Sequence, residues 1–198
     1  ELRPEDKKII EDVENKKPLI DLVNDWLERM PFFDNPQYWA EPVSADGTHP
    51  FWKKYNEIYQ QSLGEGEKFN LTRFEEAVLS ADKKPEWSLS PKARRAALFI
   101  MLYRDYPLLQ APFQLINNLL EIDNTLSAWR YRHMNMVHRM IGTRTGTGGS
   151  TGKGYLQGAL ASHYIFAEFA ELTSYIIERN KLPKLSSALN KRLGFEMD

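Results

Sequence analysis

Trp129-Arg-Tyr-Arg-His133-Met-Asn-Met-Val-His138-Arg-Met-Ile-Gly142-Thr-Arg-Thr-Gly146-Thr-Gly-Gly-Ser150-Thr-Gly152 joins a histidine-bearing helical stretch to a loop rich in glycine and hydroxyls. Leu126, Trp129, Val137 and Met140 recur at spacings of three and four, which is the period of one helix face. That spacing places His133 on the apolar stripe. His138 lies five residues on, about 140° round the axis and beside Tyr131 and Asn135. One histidine faces in and the other out, so they form no i,i+4 metal clamp. Gly142 ends the helix, since glycine enters the left-handed C′ conformation without a steric penalty. Thr143 to Gly154 then holds five glycines and five Ser/Thr and no large apolar residue, so backbone N–H groups and hydroxyls can approach a polar ligand.

Neither nucleotide-binding pattern accounts for this loop. A phosphate loop ending at Gly152-Lys153 needs glycine where Thr147 stands and Ser/Thr where Gly154 stands. A dinucleotide fingerprint from Gly146 meets Thr151 at its last glycine, and the loop follows a helix, not a strand. On residues alone, His133 is either a hydrogen-bonded core histidine or a ligand, and the loop is either a surface loop or a binding element.

Working outward, 198 residues with 42% hydrophobic content suffice for one sizeable core. A net charge of −1 gives no basic footprint for nucleic acid. The absence of cysteine excludes disulfides, thiolate haem ligation, cysteine-attached haem and cysteine zinc sites, and accords with a cytoplasmic home. No apolar run reaches the ~18 residues of a membrane span, and no signal-peptide pattern opens the chain.

The periodicity predicts an all-α fold, a helical bundle with long helices and no sheet. Residues 5–29 read as helical with a break at Pro18, placing Leu19, Leu22, Val23, Trp26 and Leu27 on one stripe. Met30 to Pro50, punctuated by prolines, is a connector whose Phe32, Phe33, Tyr38 and Trp39 pin it to the body. Short helices follow over Phe51–Leu63 and Phe69–Ser80. Ser90-Pro91 is a cap followed by a first-position proline, opening a helix predicted to run to Tyr106 with Ala97, Leu98, Met101 and Leu102 inward. Pro112 is predicted to open a helix reaching Ile141, with Phe113, Ile116, Leu119, Leu120, Leu126 and Trp129 inward. A long helix is predicted over Tyr155–Arg179, carrying Phe166, Phe169, Leu172 and Ile176 on one side, and a short one after Pro183 ends near Gly194.

WRYRHMNMVHRMIGTRTGTGGSTG resembles the haem-ligand helix and substrate loop of the tryptophan 2,3-dioxygenase family. Tyr103-Arg-Asp-Tyr-Pro-Leu-Leu-Gln-Ala-Pro-Phe-Gln-Leu115 and Leu22-Val-Asn-Asp-Trp-Leu-Glu-Arg29 are similar to the same family, in the same order. The resemblance implies haem b as cofactor, His133 as its proximal iron ligand, and Trp129 and Tyr155 beside it. It implies that Thr147, with Gly146 and Gly148, contacts the amino-acid head of the substrate. The implied reaction inserts both atoms of O2 across the indole C2–C3 bond of L-tryptophan to give N-formylkynurenine, in tryptophan catabolism through the kynurenine pathway. The chain departs from the family pattern at Thr151, Lys153 and Gln157, where serine, an aromatic and arginine are usual.

His138, His49 and His163 match no ligand position. The resemblance further implies a homo-oligomer, a tetramer, with no nucleic-acid or membrane partner. The chain opens at Glu1-Leu-Arg-Pro without methionine, and no stretch matches the family segment that builds the distal pocket and carries the carboxylate-pairing arginine. Residues 1–198 are therefore expected to be a single helical haem-binding domain, the C-terminal part of a longer dioxygenase, with catalytic distal residues in that segment or a companion chain. Two other readings stay open: a related haem hydroxylase acting on another aromatic amino acid, and a haem-binding helical domain without catalysis.

Overall fold

The computed structural model describes residues 3–39, 49–81, 86–141 and 164–194, leaving out the side chains of His138 and Ile141. All regular structure among the described residues is helical, as the periodicity predicts. Helix α1 (Pro4–Glu14) has proline in its first turn beside Glu5 and Asp6, which suit the positive end of the helix dipole. It buries no side chain; Ile9, Ile10 and Val13 are exposed. The predicted break at Pro18 separates it from α2 (Leu19–Glu28), which buries Val23 and Leu27 while Leu19 and Leu22 stay exposed.

The connector is pinned by its aromatics. Phe33 stacks on Trp39 at 5.4 Å, and the Trp39 indole N–H donates to the Phe32 carbonyl at 2.8 Å. His49 caps α3 (Pro50–Ser62), its Nδ1 accepting the Phe51 N–H. Phe51, Trp52, Tyr55 and Tyr59 project from α3 into a continuous aromatic core with Phe74, Phe99, Tyr103 and Tyr175. The Tyr55 hydroxyl donates to the Tyr175 carbonyl at 2.6 Å, and burial raises its pKa.

Helix α4 (Lys68–Phe74) widens into a π-helical turn over Glu75–Leu79. Such a turn displaces carbonyls from the α-helical ladder. Here the Ala77 carbonyl accepts from Arg94 Nε at 2.7 Å and the Val78 carbonyl from Arg95 at 3.1 Å. Both arginines belong to α5 (Pro91–Leu102), where Ser90 Oγ accepts the Ala93 N–H as the sequence predicts. Ten of the twelve α5 residues are buried, so this helix runs through the centre rather than along a face.

Three predicted boundaries move. Helix α5 ends at Leu102, not Tyr106, because Tyr103 turns into the core and donates its hydroxyl to the Pro183 carbonyl at 2.6 Å. Helix α6 (Pro107–Ile141) starts at Pro107 and absorbs Pro112 inside it. Pro112 lacks an N–H for the Leu108 carbonyl, yet the helix starts earlier because Leu109 is buried and the Leu108 N–H is held by the Leu193 carbonyl. Gly194, at φ 92°, brings the chain so close that a Cβ there would sit 3.2 Å from the Pro107 ring.

The predicted helix over 155–179 is also shorter. In its described part, α7 spans only Ala167–Thr173, with Ile165 and Phe166 turned out of helical form and a tight turn after Thr173 burying Tyr175. A last helix, α8 (Ser187–Arg192), is capped by Ser186. No described helix is long and apolar enough to cross a membrane.

Candidate functional site

Helix α6 has two halves. Toward its start, Leu109, Ile116 and Leu119 are buried against the body, with Phe113 and Leu120 partly so. Beyond Asp123 the same apolar period continues, but its residues are uncovered among the described residues. Trp129 is 60% exposed and Met140 77%, with Met136 also exposed and Val137 half-buried. Trp129 is thus not inward within the described chain. Among the described residues its stripe faces out because α6 has 35 residues against twelve in α5, and outruns the described helices that pack on it.

His133 sits half-buried on this outer stripe. Its ring lies parallel to the Trp129 indole, with centroids 5.3 Å apart and planes 9° from parallel. Residues four apart on a helix are surface neighbours, and stacking on a broad indole limits the imidazole's orientations. The result is an oriented nitrogen donor flanked by uncovered apolar surface.

A haem bound here would need an imidazole for its iron and an apolar flank beside its ring, and His133 with Trp129, Met136 and Met140 would supply them. The residues present fit the group. Among the described residues, no cluster of three or more His, Asp or Glu could hold a metal ion by itself.

Other predicted site residues lie outside the described structure. Thr147, Gly146, Gly148 and Tyr155 do, as do Thr151, Lys153, Gln157 and His163. The His138 side chain is also outside it. His49 is resolved as a buried helix cap among aromatic rings, 4.6 Å from Trp39. Burial, with a lesser push from the Arg95 charge, lowers its pKa to about 4, so it stays neutral and keeps Nδ1 as an acceptor.

Sequence reading missed two buried charged groups that organise the surroundings. Asp123 is 3% exposed, and its carboxylate accepts the N–H of Ile165 at 3.0 Å and of Phe166 at 2.6 Å. The signal was present: Asp123 occupies a core position in the run Ile116, Leu119, Asp123, Leu126, where packing alone calls for an apolar residue. Arg94 is equally buried, with its guanidinium 3.6 Å from the Trp87 ring centre and Nη1 donating to the Leu89 carbonyl. Burial lowers its pKa to about 10, opposed by Glu168 at 3.9 Å, so the cation persists at neutral pH. Glu168 in turn accepts the Ser88 and Leu89 N–H groups, closing α7 onto the start of α5.

Known proteins align with nearly all of this arrangement. A family model described as tryptophan 2,3-dioxygenase matches residues 2–176. A tryptophan 2,3-dioxygenase of Alteromonas mediterranea is 38% identical, covering 98% of this chain and 58% of its own length. That of Bdellovibrio bacteriovorus is 37% identical over 91% of this chain and 55% of its own length. That of Rattus norvegicus is 35% identical over 91% of this chain and 48% of its own length. The chain therefore spans about half the length of the curated relatives it matches. With the matched region running from before α1 into the turn after α7, and so across all of α6, the chain belongs to the tryptophan 2,3-dioxygenase family.

Proposed function

We propose that this chain supplies the proximal half of a haem-dependent dioxygenase that converts L-tryptophan and O2 to N-formylkynurenine. The observation that carries the reading is His133, stacked on Trp129 and set in an uncovered apolar stripe of α6, within the matched region. In this reading His133 holds the iron of haem b, while Trp129, Met136 and Met140 offer apolar surface to the macrocycle and Tyr155 adds a further aromatic. The haem supplies the redox chemistry that carries O2 to the indole.

The work left to the protein is binding, orientation and exclusion of water. Trp129 holds the imidazole plane. An amino-acid zwitterion entering an apolar pocket needs partners for both charges, or it loses hydration without compensation. The Thr147 hydroxyl oxygen, with the backbone carbonyls near Gly146 and Gly148, accepts from the ammonium end. Partners for the carboxylate and the distal wall come from a segment outside this sequence, joined to it or on a companion chain, in a homotetramer of the cytoplasm. Residues 1–198 act in that assembly as one haem-binding domain.

The test is His133→Ala in the complete protein, reconstituted with haem. Loss of the Soret band of a histidine-ligated haem is expected, together with loss of N-formylkynurenine absorbance on adding L-tryptophan and reductant. Unchanged haem spectra and turnover would overturn the reading, whereas His138→Ala is expected to retain both.

A further inference from the structure

A cleft of about 300 Å³ opens between the turn that joins α5 to α6 and residues 182–186, which lead into α8. We propose that this cleft binds a small aromatic carboxylate. It is separate from the outer half of α6, none of whose residues lines it. Its size falls at the lower end of the range for pockets that hold a small molecule. Its floor is buried, with Leu102 and Tyr103 each 5% exposed and Leu185 8%.

The walls are set before any ligand arrives. The Tyr103 hydroxyl donates to the Pro183 carbonyl, and the Tyr106 hydroxyl donates to Asn190 Oδ1 at 2.7 Å. Asn190 Nδ2 in turn donates to the Leu185 carbonyl at 3.2 Å. These bonds tie the α5–α6 turn to residues 182–186 and to α8, so the cost of ordering the lining is met in folding and not in binding. They also engage both tyrosine hydroxyls within the fold. What the floor then presents is ring and aliphatic surface, with the two tyrosine rings edge to face at 5.8 Å. An apolar ring suits that surface.

Charge sits at the rim. Arg179 and Lys184 line the cleft against one acid, Asp105. Arg179 and Asp105 pair at 2.8 Å with side chains 72% and 45% exposed, so the pair is weak, and a guanidinium keeps further donors beyond that contact. Lys184 is exposed and pairs with no carboxylate among the described residues. The rim thus carries a surplus of one positive charge beside an apolar floor. A neutral ring leaves that charge unanswered; a carboxylate on the ring meets it through charge-assisted bonds.

The probe is 2-naphthoate, with 2-naphthamide as its uncharged match in shape, each titrated calorimetrically into the complete protein. The acid is expected to bind about tenfold more tightly than the amide and to lose that advantage at high salt. Lys184→Met is expected to weaken the acid about tenfold, whereas Asp105→Asn strengthens it about threefold by removing the opposing charge and freeing Arg179. Opposite signs at two solvent-facing positions do not arise from a general loss of fold. A second cleft on the other side of residues 182–186 shares Lys184 and is lined also by Lys54 and Phe51. Lys54→Met is therefore the control for place, with affinity expected to stay unchanged.

Equal affinities for acid and amide overturn the proposal, as does the absence of saturable binding at millimolar acid. So does a K184M protein that binds as the parent does, a D105N protein that binds no more tightly, or a K54M protein that loses as much as K184M.

Discussion

Helix α5 and the outer half of α6 are both rich in apolar residues and end in opposite surroundings. Leu98, Phe99, Ile100 and Met101 in α5 are buried from every side, whereas Trp129, Met136 and Met140 in α6 are uncovered among the described residues. The two differ in partners, not in composition. Helix α5 is closed in by α2, the π-helical turn, α6 and α7, with aromatics of the connector and α3 on Phe99; the outer half of α6 has run past the described elements that cover its inner half. An apolar stripe reports that something covers it in the working state, without saying whether the cover belongs to the same chain.

The widest gap between the regions should appear in stability. Phe99→Ala empties a site ringed by Phe32, Phe33, Phe51 and Tyr103, and is expected to remove about 3–5 kcal/mol in urea unfolding. Met140→Ala is expected to stay within about 0.5 kcal/mol of the parent. Similar losses from the two substitutions would erase the distinction.

A smaller effect sharpens the role of the buried cation. Arg94→Met leaves the Ala77 and Leu89 carbonyls without their donor and Glu168 without its nearest buried charge. A loss of about 3 kcal/mol is expected, partly restored by lysine, which keeps the charge but not the fork. A neutral result in the unfolding midpoint would show that stacking of Trp87 and closure of α7 proceed without the cation.

A further effect is one of pH. The His49 pKa is lowered in the fold to about 4 from an ordinary 6.5, so the unfolded chain takes up a proton more readily than the folded one. Its stabilising contribution is fully present above pH 6.5 and is lost progressively as pH falls toward about 4. The melting temperature should fall across that interval, and His49→Asn, which can still cap α3, should flatten the slope. An unchanged slope in that variant would remove His49 as its cause.

Where local chemistry decided, the sequence was readable. Ser90-Pro91 opens α5 and Pro18 separates α1 from α2 because each acts through its immediate neighbours, and the connector's aromatics were legible as anchors from their size and the prolines around them. The place of His133 on the same helix face as Trp129 was legible from its register, while its role as a ligand comes from the resemblance and belongs to the proposal. What escaped was set by distant partners. Pro112 reads as a helix start until Leu193 is seen holding Leu108, and the stretch up to Arg179 reads as one helix until Asp123 is seen accepting the N–H groups of Ile165 and Phe166 just before α7. Trp129 reads as inward because periodicity identifies a face, not its occupant.

The length of α6 carries a mechanical consequence. From Leu119, its last well-buried leucine, to His133 is fourteen residues, an arm of about 21 Å at ~1.5 Å per residue. A tilt of about 5° at the inner bearing swings the outer end by roughly 1.8 Å over that span, whereas ligand–metal distances hold to about 0.2 Å. Levers of this reach need a second bearing. Whatever covers Trp129 and Met140 would therefore brace the arm as well as keep it dry, and under the proposed iron ligation by His133 a cover fitted loosely there would be felt at the ligand before it was felt in the stability of the fold.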